Sequence, residues 1–212
     1  VIKVVCFDLG GVLVRITVDM AEAAARAGVA IDRSAGSFLD FPPFIEFQAG
    51  RQKGDDYLEQ LGAWVGCPPS EALAVHNHIL LDSYEGTHEL IGELNQSGVL
   101  TACLSNTNAP HWHEMRQTDR FPNVRDLRLG VASHEVFLEK PQSAIYRRFQ
   151  DLSSAALGAQ IHASEIVFFD DTMPNVVAAQ ELGWQAHHID PSRPTAAQMR
   201  LHLGRLKLCA PF

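Results

Sequence analysis

The run Ile2-Lys3-Val4-Val5-Cys6-Phe7-Asp8-Leu9-Gly10-Gly11-Val12-Leu13 decides the fold. Between Ile2 and Phe7 only Lys3 is polar, and the run stops at a carboxylate. A continuous apolar stretch, rather than an alternating one, suits a strand covered on both faces of a parallel sheet. A charge inside the run and an acid at its end mark a core strand rather than a signal peptide. The glycines after Leu9 leave the backbone open to close approach by another group.

The same pattern recurs along the chain. Residues 99–104 form an apolar run ending at Ser105, and residues 166–169 one ending at Asp170-Asp171; weaker runs cover 127–132 and 184–189. Helical periodicity lies between them at 89–96, 143–152, 175–182 and 195–206, with Gly98 and Gly183 where helices commonly end. Strands alternating with helices predict an α/β fold, a Rossmann-like parallel sheet core with helices on both faces. From Val14 to Glu85 the pattern changes. No strand is expected there, only helices at 20–27, 55–65 and 71–81, punctuated by Phe41-Pro42-Pro43 and Cys67-Pro68-Pro69. An inserted α-helical cap subdomain over 15–85 follows, with the core formed by 1–14 and 86–212. A length of 212 residues accommodates one core with such an insertion.

Composition narrows the function. Apolar residues make up 46% and charged residues 20%, a globular balance without the run of ~20 apolar residues that spans a bilayer. A net charge of −8, with no cluster of Lys or Arg, disfavours nucleic acid and anionic membrane surfaces as partners. A small anionic substrate is compatible, because one cation in a pocket outweighs a distant net charge. Cys6, Cys67, Cys103 and Cys209 have no Cys-x-x-Cys spacing and are read as reduced, which places the protein in the cytoplasm. The pairs His76/His78, His111/His113 and His187/His188 lack the spacing and companion acid of a zinc site. Oligomeric state is not encoded in any pattern visible here.

Ligands of an open α/β sheet bind outside the carboxyl ends of its strands. Those ends present Asp8, Ser105 and Asp170-Asp171, while Lys140-Pro141 opens a further helix. Carboxylates, a hydroxyl and an ammonium at one edge suit phosphoryl transfer: one carboxylate attacks phosphorus, another helps hold a divalent cation, and Ser and Lys neutralise the non-bridging oxygens. A strand-end Asp or Ser that merely shapes a turn is the plainer reading of each residue alone.

This order of residues resembles the haloacid dehalogenase (HAD) superfamily of aspartate-nucleophile hydrolases. The four motifs are Phe7-Asp8-Leu9-Gly10-Gly11-Val12-Leu13, Leu104-Ser105-Asn106-Thr107-Asn108, Lys140-Pro141, and Phe168-Phe169-Asp170-Asp171 with Asn175 beyond. In Phe7-Asp8-Leu9-Gly10, in Ser105-Asn106-Thr107-Asn108 followed by His111, and in Phe168-Phe169-Asp170-Asp171 the chain resembles the bacterial α-D-glucose-1-phosphatase type, and more distantly the phosphatase lobe of soluble epoxide hydrolases. The resemblance implies Asp8 as nucleophile, Lys140 as the cation beside it, and Ser105 with Asn106 as phosphate contacts. It also implies Mg²⁺ held by Asp8, the Gly10 carbonyl and Asp171. Asp170 then replaces a usual glycine, and Asn175 falls at the family's second acidic position.

One position departs from the pattern. Phosphatases of this superfamily usually carry a second Asp two residues after the nucleophile, where this chain has Gly10. That carboxyl protonates the leaving group and then activates water, help worth ~10²–10⁴-fold. His111 and Asp170 are candidate substitutes; an anomeric phosphate, whose leaving hydroxyl is more acidic than an ordinary alcohol, would need less help. The resemblance therefore implies a Mg²⁺-dependent phosphatase of a small phosphorylated metabolite, with a sugar 1-phosphate as the specific expectation. The alternatives are hydrolysis of a phosphonate or a haloacid, and a catalytically weak member that binds a metabolite or partner. In the cap, Arg51, Lys53 and Tyr57 are candidates to reach substrate.

Overall fold

The computed structural model describes residues 1–31 and 36–209. Strand β1 (Val4–Phe7) is buried along its whole length, and the chain then turns through Gly11 at φ 72° into a short strand, β2 (Val14–Ile16). Helix α1 (Met20–Ala27) begins where the Asp19 carboxylate accepts the Glu22 N–H, and it ends at Gly28 with φ 68°. A 3₁₀ turn (Phe38–Asp40) leads to α2 (Pro42–Gln48), α3 (Gly54–Val65) and α4 (Pro69–Asn77). Proline opens α2 and α4, where its missing N–H costs nothing. The chain returns along β3 (Leu80–Ser83), antiparallel to β2.

The remainder alternates. It comprises α5 (Thr87–Ser97), β4 (Leu100–Ser105), α6 (Ala109–Gln117), α7 (Pro122–Arg125), β5 (Leu129–Ala132) and α8 (Ser133–Val136). After these come α9 (Ser143–Leu157), β6 (Ile166–Asp170), α10 (Met173–Glu181), β7 (Gln185–His188) and α11 (Thr195–Arg205). Five strands pair in the order β5-β4-β1-β6-β7, every pair parallel. The expected α/β parallel sheet is therefore present.

Alternate side chains of the strands build two cores. Val5, Phe7, Cys103, Val167 and Phe169 face one layer with Leu90, Ile91 and Met199, from α5 and α11. Val4, Cys6, Ala102, Leu104 and Phe168 face the other with Ile145, Phe149 and Val176, from α9 and α10. Helices α1–α4 gather around a third apolar cluster that includes Met20, Phe38, Phe44, Tyr57, Leu61 and Val75. A separate core of this kind suits the inserted helical segment.

Two local expectations are corrected. The stretch from Val14 to Glu85 does contain strands, β2 and β3. Each is three or four residues long, and the pairing of Val14 with Ser83 spans most of the insertion. Pairing at that separation leaves no local signature. The helix expected at 71–81 accordingly stops at Asn77, and Leu80 and Leu81 belong to β3.

Candidate active site

The chain leaves β1 to β4 on one side and reaches β6 on the other, so the strand order reverses at β1. Such a reversal opens a crevice at the carboxyl ends of the strands. Register places the ends together: Phe7 lies beside Cys103 of β4 and beside Phe169 of β6. Asp8 therefore emerges level with Asp170 and one residue short of Ser105, its N–H donating to the Phe169 carbonyl at 2.8 Å. A cavity of about 650 Å³ opens here, lined on its core side by Asp8, Gly10, Ser105, Asn106, Lys140 and Asp171.

Lys140 is the electrostatic hub. Its Nζ lies 2.9 Å from Asp8 Oδ1 and 2.6 Å from Asp170 Oδ2, with the side chain almost wholly buried. Burial would lower this ammonium, but Asp170 and Asp8 outweigh that effect and hold it above the ordinary lysine value. Asn106 fixes the Lys140 backbone from both sides, donating to its carbonyl at 3.0 Å and accepting its N–H at 2.9 Å. The side chain expected to touch phosphate thus also positions the lysine. Ser105 is buried at the end of β4 and lines the cavity as expected.

Asp8 Oδ1 accepts from Lys140 and also from the Leu9 N–H at 2.7 Å. Burial pushes its carboxyl up to about 7 against the pull of Lys140, and the Asp170 and Asp171 carboxylates add to the rise. Asp171 is likewise raised, by burial and by Asp170. One oxygen from each of Asp8, Asp170 and Asp171 can lie within 4.8 Å of the others. Three carboxylates against one ammonium leave negative charge that a divalent cation would neutralise, and an all-oxygen donor set suits Mg²⁺. Gly11 completes the fit: a Cβ there would run into the Asp171 carboxylate, at a φ of 72° that already disfavours side chains.

The two acids of the fourth motif are not equivalent. Asp170 is fully buried and accepts from Lys140, from the Thr172 N–H at 2.8 Å, and from Asn175 Nδ2 at 3.0 and 3.1 Å. It is a charge partner for Lys140, and Asn175 holds that partner in place. Neither Asp170 as a substitute proton donor nor Asn175 in the family's second acidic role matches these contacts. Asp171 is the more exposed of the two and faces the cavity.

His111 is a further correction. Its ring stacks on His76 at 4.1 Å, its Nε2–H donates to the His76 carbonyl at 2.9 Å, and its Nδ1 accepts from Asn108 Nδ2 at 3.2 Å. Asn108 Oδ1 accepts His76 Nε2–H at 3.1 Å, and His76 Nδ1 accepts the Tyr57 hydroxyl at 2.9 Å. Burial lowers His111 to about 4 and drives His76 well below the usual range. A neutral ring with both nitrogens engaged does not supply a proton at neutral pH. The network instead ties α3 and α4 to α6. It also accounts for Tyr57, which is fully buried rather than turned to the cavity. Arg51 is paired with Glu46 and Glu139, and Lys53 lines a separate surface hollow.

Sequence reasoning missed the apolar part of the cavity lining. Ile16, Val18, Leu39 and Tyr84 line the cavity there. The alternation Val14-Arg15-Ile16-Thr17-Val18 carried a signal for the first two; Leu39 and Tyr84 arrive only through tertiary placement.

Fold and site together define an α/β enzyme with a carboxylate–ammonium centre at the strand ends of a parallel sheet. Sequence comparison makes this specific: a family model of haloacid dehalogenase-like hydrolases matches residues 2–183, and the chain belongs to that family. It is 27% identical over 205 residues to a sesquiterpene phosphatase of Aspergillus oryzae, covering 95% of this chain and 97% of that protein. Among solved structures it is similar to a HAD family enzyme from Bacteroides thetaiotaomicron in complex with magnesium and inorganic phosphate. That match has a TM-score of 0.69 and 23% identity, and covers 91% of this chain and 96% of the other. A HAD-like hydrolase from Porphyromonas gingivalis matches with TM-score 0.73 and 22% identity over 95% and 98% of the two chains. The L-2-haloacid dehalogenase of Xanthobacter autotrophicus matches with TM-score 0.61 and 20% identity over 96% and 84%.

Proposed function

We propose that this hydrolase is a Mg²⁺-dependent phosphatase of small phosphate monoesters. The observation that carries the reading is the Asp8–Lys140–Asp170–Asp171 cluster, with Asp8, Lys140 and Asp171 lining the cavity beside Ser105 and Asn106, and Asp170 buried against Lys140. The phosphatase name of the Aspergillus oryzae relative supports it. So does the phosphate and magnesium complex of a structural neighbour.

Asp8, the Gly10 carbonyl and Asp171 are the groups assigned to the cation. When bound, Mg²⁺ draws charge from the phosphoryl oxygens and steadies the ionised form of Asp8. Asp8 Oδ1 is engaged by Lys140 and Leu9, so Oδ2 is the oxygen assigned to attack. A phosphorus–oxygen bond forms to Asp8 as the bond to the leaving oxygen breaks, and that oxygen takes up a proton from solvent to leave as the alcohol. Water then attacks the aspartyl-phosphate, releasing inorganic phosphate and restoring the carboxylate. Lys140 holds Asp8 in line and offsets charge on the phosphoryl group, while Asn106 and Asp170 hold Lys140.

Position 10 bears no carboxyl, and Asp170 and His111 are committed elsewhere. Departure of the alcohol therefore proceeds without a side-chain acid among the described residues, and favours leaving groups of low basicity. A carbon–halogen substrate fits less well, because the surplus of carboxylates over ammonium calls for a cation. The helical segment between β2 and β3 is assigned as a cap that closes over the substrate. Unpaired cysteines throughout the described residues agree with a cytoplasmic setting, and no helix is long and apolar enough to cross a membrane.

Release of inorganic phosphate from acetyl phosphate and p-nitrophenyl phosphate tests the reading, with Mg²⁺ and after chelation. Turnover that requires Mg²⁺ is expected. Equal turnover in EDTA, or none with Mg²⁺, would refute it.

A further inference from the structure

We infer that the substrate is the phosphate monoester of an apolar alcohol; the inference rests on the phosphatase reading above and names its substrate class. The cavity lining is of two kinds. Asp8, Ser105, Lys140 and Asp171 are the groups suited to a phosphoryl group. The same cavity is also lined by Ile16, Val18, Leu39, Tyr84, Pro174 and Pro191.

Ile16 is 39% and Leu39 58% exposed, although both are large aliphatic side chains beside a polar centre. Exposed apolar surface rimmed by polar groups marks a place where an apolar partner is received. The apolar lining does not end there. A smaller void of about 90 Å³ shares Gly10, Ile16, Val18 and Leu39 with the main cavity. Phe44, Ile79, Leu80 and Met115 line it further, so apolar surface extends beyond the main cavity.

Several polar groups near that lining are already engaged. The Tyr84 hydroxyl is already donated to the Pro191 carbonyl at 3.1 Å, and Tyr57 is donated to His76. Arg51 is paired with Glu46 and Glu139, and Lys53 lies outside both voids. The polar residues lining the smaller void are Gln48, Ser105, Asn106, Thr107 and His111, of which Asn106 is held by the Lys140 backbone and His111 is engaged at both ring nitrogens. A sugar would bring several hydroxyls and strip their water against Ile16, Val18, Leu39 and Phe44, which disfavours it relative to an apolar alcohol. The expectation of a sugar 1-phosphate therefore gives way to an alkyl, prenyl or aryl phosphate. Leaving groups of low basicity should turn over fastest within that class, because the chain offers no acid at position 10.

The test compares kcat/KM for octyl, geranyl and 1-naphthyl phosphate with that for glucose 1-phosphate, using Mg²⁺-loaded full-length protein. Acetyl phosphate, which needs no leaving-group acid and has no apolar tail, reports whether the phosphoryl chemistry works. At least one apolar ester should exceed glucose 1-phosphate by about tenfold or more, the scale of hydrophobic discrimination in a pocket. Leu39→Asn and Ile16→Ser should shrink that ratio, chiefly through KM for the apolar ester. Circular dichroism melting checks that the variants fold, and Leu39, more exposed than Ile16, is the safer of the two sites. Glucose 1-phosphate turned over as well as the apolar esters, alongside active acetyl phosphate hydrolysis, overturns the substrate class while leaving the phosphatase standing. Inactivity toward every ester and toward acetyl phosphate overturns the phosphatase and the inference with it.

Discussion

Gly10→Asp asks whether the centre lacks only its proton donor. A Cβ built at Gly10 meets Ile16 Cδ1 at 2.9 Å, and its next contacts, at 3.7 Å, are also with Ile16. Gly10 lies outside the left-handed region that Gly11 occupies at φ 72°, so a side chain is permitted by the backbone. The obstacle is the tip of one flexible, partly exposed residue. Moving it off its preferred rotamer costs of order 0.5–1.5 kcal/mol, and the double variant Gly10→Asp/Ile16→Ala removes the contact altogether. Against that stands general acid help of ~10²–10⁴-fold when well aligned. Even poor alignment should leave about tenfold, or ~1.4 kcal/mol of barrier. The assay is kcat/KM across monoesters of graded leaving-group basicity, from p-nitrophenyl to octyl phosphate. The native chain should show a steep decline with basicity. The variants should flatten it, gaining on octyl phosphate and little on p-nitrophenyl phosphate. Because Ile16 also lines the apolar surface, the double variant is compared with Ile16→Ala alone; a folded, Mg²⁺-responsive double variant with the slope of Ile16→Ala would refute the account of a missing acid.

Three further outcomes are expected. Asp8→Asn should lose more than about 100-fold in kcat, close to 3 kcal/mol of barrier, with its melting temperature largely kept; activity above that level would remove Asp8 as nucleophile. Asp170→Ala should cost stability, on the order of 3–5 kcal/mol in denaturant unfolding, by stripping a partner from buried Lys140. Asp171→Ala should cost little stability but raise the Mg²⁺ needed for half-maximal activity; the reverse ranking in the two measurements would exchange their roles. Acid should loosen the fold through His111, whose folded value near 4 lies below its ordinary 6.5. The unfolded chain takes up the proton first, so this contribution is complete above pH 6.5 and declines as pH falls toward 4. The loss from this ring alone should be about 2 kcal/mol at pH 5, read from denaturant midpoints beside an NMR titration of the imidazole; a ring that protonates near 6.5 would contradict it.

What could be read from the sequence follows from where the determinants lie. Strands β1, β4 and β6 are covered on both faces, so each shows as an unbroken apolar run, and the polar residue that ends each run lies at the crevice. That is why Asp8, Ser105 and Asp170-Asp171 could be placed together before any coordinates. The division of labour within Asp170-Asp171 was legible only in part. Which acid meets Lys140 depends on the pleat of β6, and the role of Asn175 depends on the path of α10. The pairing of β2 with β3, the placement of Leu39 and Tyr84 at the cavity and the Tyr57–His76–Asn108–His111 network are set by contacts between distant segments, and no window of neighbouring residues encodes them. Position 10 shows what this distance hides. Read alone, Gly10 is a deletion, a catalytic carboxyl removed from an otherwise intact motif. In the folded chain the space that a side chain at position 10 would enter is occupied by Ile16 Cδ1, reaching over from β2. Ile16 also lines both the main cavity and its apolar extension. The missing side chain and the apolar lining therefore meet at one point: the space beside Gly10 that a carboxyl would need is held by the hydrocarbon of Ile16.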